Sequence, residues 1–174
     1  MHFQRLAACW LIAAMSLLVL IAGCKKTPTA LSKDIQSLMN RAESVELFSL
    51  DPYTKDNELE NFNEEEMSAS KFHGWAVYGS RKLTDEVGKN LVRAAILDST
   101  PDIHPQTAMA CFWPHHGVRF TAGDKHVEFV ICFFCESMKI WEATGQSSMH
   151  TTSTGKSVLN RLIKEKGIHI APKP

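Results

Sequence analysis

The chain has no surplus of charge of either sign: its 174 residues carry 19 Lys plus Arg against 19 Asp plus Glu. An even balance offers no basic stripe for a nucleic acid, so no nucleic-acid partner is expected. The chain also lacks internal repeats, and with 44% hydrophobic and 22% charged residues it has neither the polarity of a disordered chain nor the bias of a fibrous one. Motifs of common enzyme classes are missing too. There is no Gly-x-x-x-x-Gly-Lys-Ser/Thr phosphate loop, because Thr154-Gly155-Lys156-Ser157 lacks the earlier glycine and is better explained by helix capping. No nucleophile-elbow sequence supports Ser-His-Asp catalysis. Asp51, Asp56, Glu58, Glu60, Glu64, Glu65 and Glu66 crowd one stretch beside Lys55, but without the Asp/Asn/Gly spacing of a calcium loop. They read as a solvated loop.

What is present begins with export. Met1 to Arg5 carry one positive charge, and Leu6 to Ala22 follow as an apolar run of about 17 residues, a little short for a membrane-spanning helix. The run ends in Leu20-Ile21-Ala22-Gly23-Cys24. This sequence resembles the lipobox of bacterial lipoproteins, with Ile21 where Leu is commonest. In that pattern small residues fit the signal-peptidase cleft, and the cysteine takes a diacylglycerol before cleavage. The resemblance implies a signal peptide at 1–23, lipid on Cys24 and a membrane partner reached through that lipid. Several acyl chains would make the attachment long-lived. Lys25 is not the Asp associated with inner-membrane retention, so the resemblance implies the outer membrane, facing the periplasm. Residues 24–31, with Pro28 among small and polar neighbours, read as a tether. Two other readings of the same residues are an uncleaved transmembrane helix and a secreted protein with an incidental Cys24.

Residues 32–174 read as one domain. Ser32 caps a helix running to about Arg41, with Ile35, Leu38, Met39 and Ala42 at helical spacing. Val45 to Leu50 reads as a strand ended by Asp51-Pro52, and Phe72 to Ser80 as another. Thr84 can cap a second helix whose stripe is Val87, Leu91, Ala94 and Ala95. Ala108 to Trp141 is the strongest strand block, punctuated by Pro114, Gly117 and Gly123-Asp124. If Gly123 and Asp124 are the centre of a tight turn, Ala122 faces Lys125, Arg119 faces Glu128, and His116 and His115 fall opposite Ile131 and Cys132. Lys156 to Lys166 reads as a last helix, with Val158, Leu159, Leu162 and Ile163 inward and Gly167 as its stop. This order predicts an α+β class: a mainly antiparallel sheet with about three helices packed on one face.

Of five cysteines, Cys9 leaves with the signal peptide and Cys24 takes lipid, so Cys111, Cys132 and Cys135 remain. They stand in Ala110-Cys111-Phe112-Trp113-Pro114-His115-His116-Gly117 and Ile131-Cys132-Phe133-Phe134-Cys135. These segments resemble an uncharacterised family of small bacterial proteins carrying a Cys-Phe-x-Pro-Arg-His-Gly-like segment followed by Cys-Phe-x-Cys. The match departs at His115, where Arg is expected, and no activity follows from it.

Four chemistries fit the residues. Cys111, His116, Cys132 and Cys135 are a donor set for tetrahedral structural zinc. Alternatively, Cys111 bridges one member of the 132/135 pair and one thiol stays free, as an oxidising compartment would favour. The cysteines can also be small apolar core residues. Lastly, Cys132 and Cys135 can exchange thiols and disulfides, although Val127 to Phe134 reads as strand and lacks the helix start that lowers a thiol pKa. Each of His73, His104, His115, His116, His126, His150 and His169, taken alone, reads as a surface or satisfied histidine. The expectation is a membrane-anchored envelope lipoprotein with a binding or structural role rather than an enzyme, and thiol-disulfide oxidoreductase as the alternative.

Overall fold

Ser32 opens the first element, its hydroxyl accepting the Ile35 backbone N–H at 3.2 Å. The helix that follows, α1 (Lys33–Arg41), turns Ile35 and Met39 inward and carries Asp34 in its first turn and Arg41 in its last, matching the helix dipole at both ends. The computed structural model of the protein describes residues 31–55, 70–100 and 111–172. The expected signal peptide, Cys24 and the tether up to Ala30 lie outside these residues, as do Asp56 to Glu66 of the acidic stretch. Among the described residues no helix is long and apolar enough to cross a membrane.

The strands are β1 (Ser44–Lys55), β2 (Lys71–Phe72), β3 (Trp75–Leu83), β4 (His116–Ala122), β5 (Lys125–Cys132), β6 (Ser137–Glu142) and β7 (Gly145–His150). They form one seven-stranded sheet in the order β2-β3-β1-β4-β5-β6-β7, every described pairing antiparallel. Two further helices, α2 (Glu86–Asp98) and α3 (Lys156–Lys164), join α1 on one face, so the α+β class with its helices on one side of the sheet holds. The turn at Gly123-Asp124 sets the β4–β5 register as its chemistry requires: Ala122 faces Lys125, Arg119 faces Glu128 and His116 faces Ile131.

Several local expectations are corrected. Asp85, not Thr84, caps α2, its carboxylate accepting the Gly88 N–H at 2.7 Å. The buried stripe accordingly shifts to Gly88, Lys89, Val92, Ala95 and Ile96, leaving Val87 71% exposed. Lys89 is tolerated inside because its ammonium reaches the Ala42 carbonyl at 3.0 Å and the Glu86 carboxylate at 2.7 Å. Strand β1 runs through Asp51-Pro52 instead of stopping there. Proline fits because 51–54 have no ladder partner among the described residues: the pairing with β3 breaks between Leu50 and Lys55. Asp51 is buried rather than solvated; burial of the Tyr78 phenol, and after it the Asp51 carboxylate, pushes that phenol up to about 12. The segment read as one strand from Phe72 is a hairpin, β2 and β3 joined by His73-Gly74, both with positive φ (51° and 87°). The polar edge strand β7 has no apolar alternation to announce it.

The register breaks in β1 bend the sheet and carry the β2–β3 hairpin over the face on which, among the described residues, no helix packs. In the strand order β3, β1, β4 and β5 lie between β2 and β6, yet the His73 ring stacks on Trp141 of β6 with centroids 3.7 Å apart. The sheet therefore has two separate cores. Beneath the helices lie Val45, Leu47, Val118, Phe120, Val127, Phe129 and Ile131 with the inward residues of all three helices. On the other face Phe48, Leu50, Phe72, Trp75, Val77 and Val130 pack together, edged by Phe112 and Trp141. Gly117 makes room for that cover, since a Cβ there would meet the Phe72 ring at 2.7 Å.

Candidate thiol and histidine sites

Cys132 closes β5, and a four-residue turn from Phe133 to Glu136 leads into β6 with Cys132 paired to Ser137. Within that turn the Cys135 backbone N–H donates to the Cys132 sulfur at 3.1 Å. The loop before β4 is pinned to the same place by the backbone bond from His115 N–H to the Ile131 carbonyl, 3.3 Å. It brings the Cys111 sulfur to 3.2 Å from that of Cys135. Cys132 and Cys135 are buried and Cys111 is partly exposed. All three are free thiols. The hydrogen bond to Cys135 raises the Cys111 thiol above its ordinary range. Burial does the same to Cys135, followed by its contact with Cys132, while a backbone bond from Trp113 opposes both. Raised thiols are protonated at neutral pH and are weak nucleophiles.

His116 does not join them. Residues of β4 and β5 alternate faces, so His116, opposite Ile131, falls on the helix side with Val118 and Phe120. Cys132 falls on the other side with Val130. The four-ligand zinc set is thus split across the sheet, and among the described residues no group of three or more His, Cys, Asp or Glu side chains is arranged to hold a metal. Register alone makes His116 and Cys132 sequence neighbours in space; side-chain parity separates them.

On its own face His116 is 1% exposed, and its Nε2 donates to Oδ1 of Asn160 in α3 at 2.8 Å. Among the described residues its Nδ1 has no hydrogen-bond partner. Burial lowers its pKa to about 4 against the opposing hydrogen bond to Asn160, with smaller lowering contributions from the neighbouring His115 and Lys156, so the ring is neutral at physiological pH. A cavity of about 130 Å³ lies against it, walled by His115, Phe133, Phe134, Lys156, Asn160, Ile170 and Ala171. His115 holds the C-terminal segment at this cavity, its ring nitrogens each 3.1 Å from a carbonyl, those of Trp113 and Pro172.

No protein-family model, curated protein or solved structure matches the chain. Its chemistry rests on the geometry alone.

A third cluster, on the helix-free face, is invisible to motif reading. Glu128 is 6% exposed and pairs with the Arg119 Nε; Arg119 also lies 3.5 Å from Glu46 and places its guanidinium over the rings of Phe48 and Phe72. The His73 Nε2 is 2.8 Å from the second Glu128 oxygen, an ion-pair distance without an aligned hydrogen bond. Burial keeps the His73 pKa below its ordinary value against the pull of Glu128. The left-handed backbone at His73 is held by the Trp141 stack and this carboxylate together. Only the cross-strand pair Arg119–Glu128 has a sequence signal; His73 reaches it through the bend of the sheet.

Proposed function

We propose that the protein is an exported lipoprotein of the cell envelope, cleaved before Cys24 and lipidated there. It is held at the outer membrane facing the periplasm, with a binding or structural role rather than a catalytic one. In that oxidising compartment Cys111 and Cys135 close a disulfide, leaving Cys132 as a buried free thiol. Forming the bond removes two protons and two electrons, which pass to the compartment's thiol-oxidising system. The observation that carries this reading is the 3.2 Å separation of the two sulfurs, which brings a bridge of about 2.0 Å within a small movement of either side chain. The bridge would tie the loop before β4 to the β5–β6 turn and contribute about 3 kcal/mol. Exchange at Cys132 and Cys135 is disfavoured by a strand-end position in place of a helix start, and by the raised Cys135 thiol.

Mass spectrometry of the full chain extracted from membranes tests the anchor and the bridge separately. The expected result is acylation at Cys24 and a peptide linking Cys111 to Cys135. A Cys24→Ser chain should accumulate as precursor; a mature, membrane-attached Cys24→Ser protein would remove the anchor assignment. Turnover of a dithiol substrate that is lost in Cys132→Ser, with stability unchanged, would replace the structural reading with the oxidoreductase one.

A further inference from the structure

One bridge among three thiols leaves one sulfur unpaired, and the fold does not treat the three alike. Cys132 and Cys135 belong to a single turn that is held at its base by the Cys132–Ser137 pairing and by the Thr151 N–H on the Glu136 carbonyl, 3.0 Å. The Cys135 N–H donates to the Cys132 sulfur at 3.1 Å, and the two thiols are in contact. Cys111 reaches Cys135 from outside that turn, at 3.2 Å, on a segment without ladder pairing. Among the described residues its chain is first tied to the sheet backbone at His115, which bonds to Ile131 and Leu50. Cys135 is therefore the middle sulfur, with a buried neighbour on one side and a partly exposed one on the other. A disulfide in such a row can move within the chain. Cys132, as thiolate, attacks the Cys135 sulfur; the Cys132–Cys135 bond forms as the Cys111–Cys135 bond breaks. The electron pair of the broken bond leaves on Cys111, which takes up the proton that Cys132 gave up, so no oxidant or reductant is consumed. Burial shields Cys132 and Cys135 from an external dithiol, but an attacking group already beside its target needs no access. Solvation favours the outcome, because Cys111 is the one of the three that can meet water as the leaving thiolate.

We propose that Cys111 is a modification site for small-molecule disulfides, freed when the bridge passes from Cys111–Cys135 to Cys132–Cys135. The Cys111 thiolate attacks one sulfur of such a disulfide, forms a mixed disulfide with that half and releases the other half as a thiolate. The hydrogen bond that raises the Cys111 thiol comes from Cys135, and it disappears once Cys135 is bridged to Cys132. Trp113, two residues along the same segment, is 38% exposed, and Phe134, beside Cys135 in the turn, is 45% exposed. Their rings stack with centroids 6.2 Å apart and give the incoming group an apolar surface. The inference rests on the Cys111–Cys135 bridge of the proposed function, gives the third thiol a task, and is independent of the lipid anchor.

The test uses the full chain, oxidised and held in detergent, with oxidised glutathione as probe and acid quenching before peptide mapping. Trypsin cuts at Arg119 and Lys125, which puts Cys111 in one peptide and Cys132 with Cys135 in another, so linked peptides report the first bridge and unlinked ones the second. The wild type should start with linked peptides and end with glutathione on Cys111 and a bridge inside the Cys132–Cys135 peptide. Cys132→Ser cannot take over the bridge; it should keep the peptides linked and gain at least about tenfold less glutathione. Cys132→Ala repeats the measurement with an apolar residue at this fully buried position, and formation of its Cys111–Cys135 link shows that loop and turn are in place. Three results would each overturn the proposal: glutathione on Cys132 with the peptides still linked, equal modification of Cys111 in the wild type and in a linked variant, or a linked wild type that takes no glutathione. In all three the Cys111–Cys135 bridge stands, so the proposed function survives them. Peptides never linked in the oxidised wild type would remove the bridge itself, and this inference with it.

Discussion

The two faces of the sheet solve the same packing problem with different materials. Under the helices the core is aliphatic and phenylalanine-rich, contributed by three helices and five strands, with His116 as its one buried histidine among the described residues. Among the described residues the opposite face has no helix. A two-residue strand and its hairpin lie over it, and aromatic rings, a buried carboxylate and a guanidinium share the space with Cys132. The closed face gains stability from area; the hairpin-covered face depends on pairings that must each be satisfied. Adjacent residues of β5 belong to different regimes: Phe129 points to the first face, Glu128 and Val130 to the second.

The largest effect expected from this contrast is at Phe129, fully buried beneath the helices. Phe129→Ala should cost about 3–5 kcal/mol in denaturant unfolding, because the surrounding helices cannot collapse into the void. Phe72→Ala, on the hairpin cover, should cost about 2 kcal/mol, since a two-residue strand can settle onto Phe48. Equal costs would erase the distinction between a rigid face and an adjustable one.

Next is the pH dependence contributed by His116. Its folded pKa, about 4, lies below the unfolded value of 6.5, so between these values the unfolded chain binds more protons. Its contribution is fully present above pH 6.5 and is lost as pH falls toward 4, a change of about 3 kcal/mol. Unfolding free energies measured across that window for the wild type and His116→Leu check it. A slope that survives in the variant would assign the pH dependence to other groups.

The smallest effect belongs to Arg119, which is 39% exposed. Arg119→Met should cost about 1–2 kcal/mol, the partly exposed guanidinium being discounted for solvent screening. Calorimetry of the variant checks this. A loss above about 4 kcal/mol would mean that the charged face is as unforgiving as the aliphatic one.

How much of this was legible depends on the range of the interaction. The β4–β5 register follows from Gly123-Asp124 and the Arg119–Glu128 pair, both local in the chain, and the Ser32 cap follows from its neighbours. The α2 stripe slips by one position because Thr84 and Asp85 are both competent caps, and only Asp85 reaches the Gly88 N–H. The approach of Cys111 to Cys135 runs through a loop with no periodicity. Asn160 as the partner of His116, and Trp141 as that of His73, depend on how α3 docks and how far the sheet bends. Neither quantity is encoded by spacing within one segment.

Strand β5 also acts as a counter. Each side chain from Lys125 to Cys132 owes its face to whether an odd or an even number of residues separates it from the turn at Gly123-Asp124. A residue added within the turn only lengthens the loop and leaves the count along the strand as it is. A residue added inside β5, before Glu128, forces a choice. Either the strand bulges to absorb it, or Glu128 goes under the helices and Phe129 goes to the hairpin side, exchanging the contents of two compartments that cannot hold each other's cargo. Drift in length is therefore free in the turn and quantised in the strand, a constraint carried by arithmetic and not by any one contact.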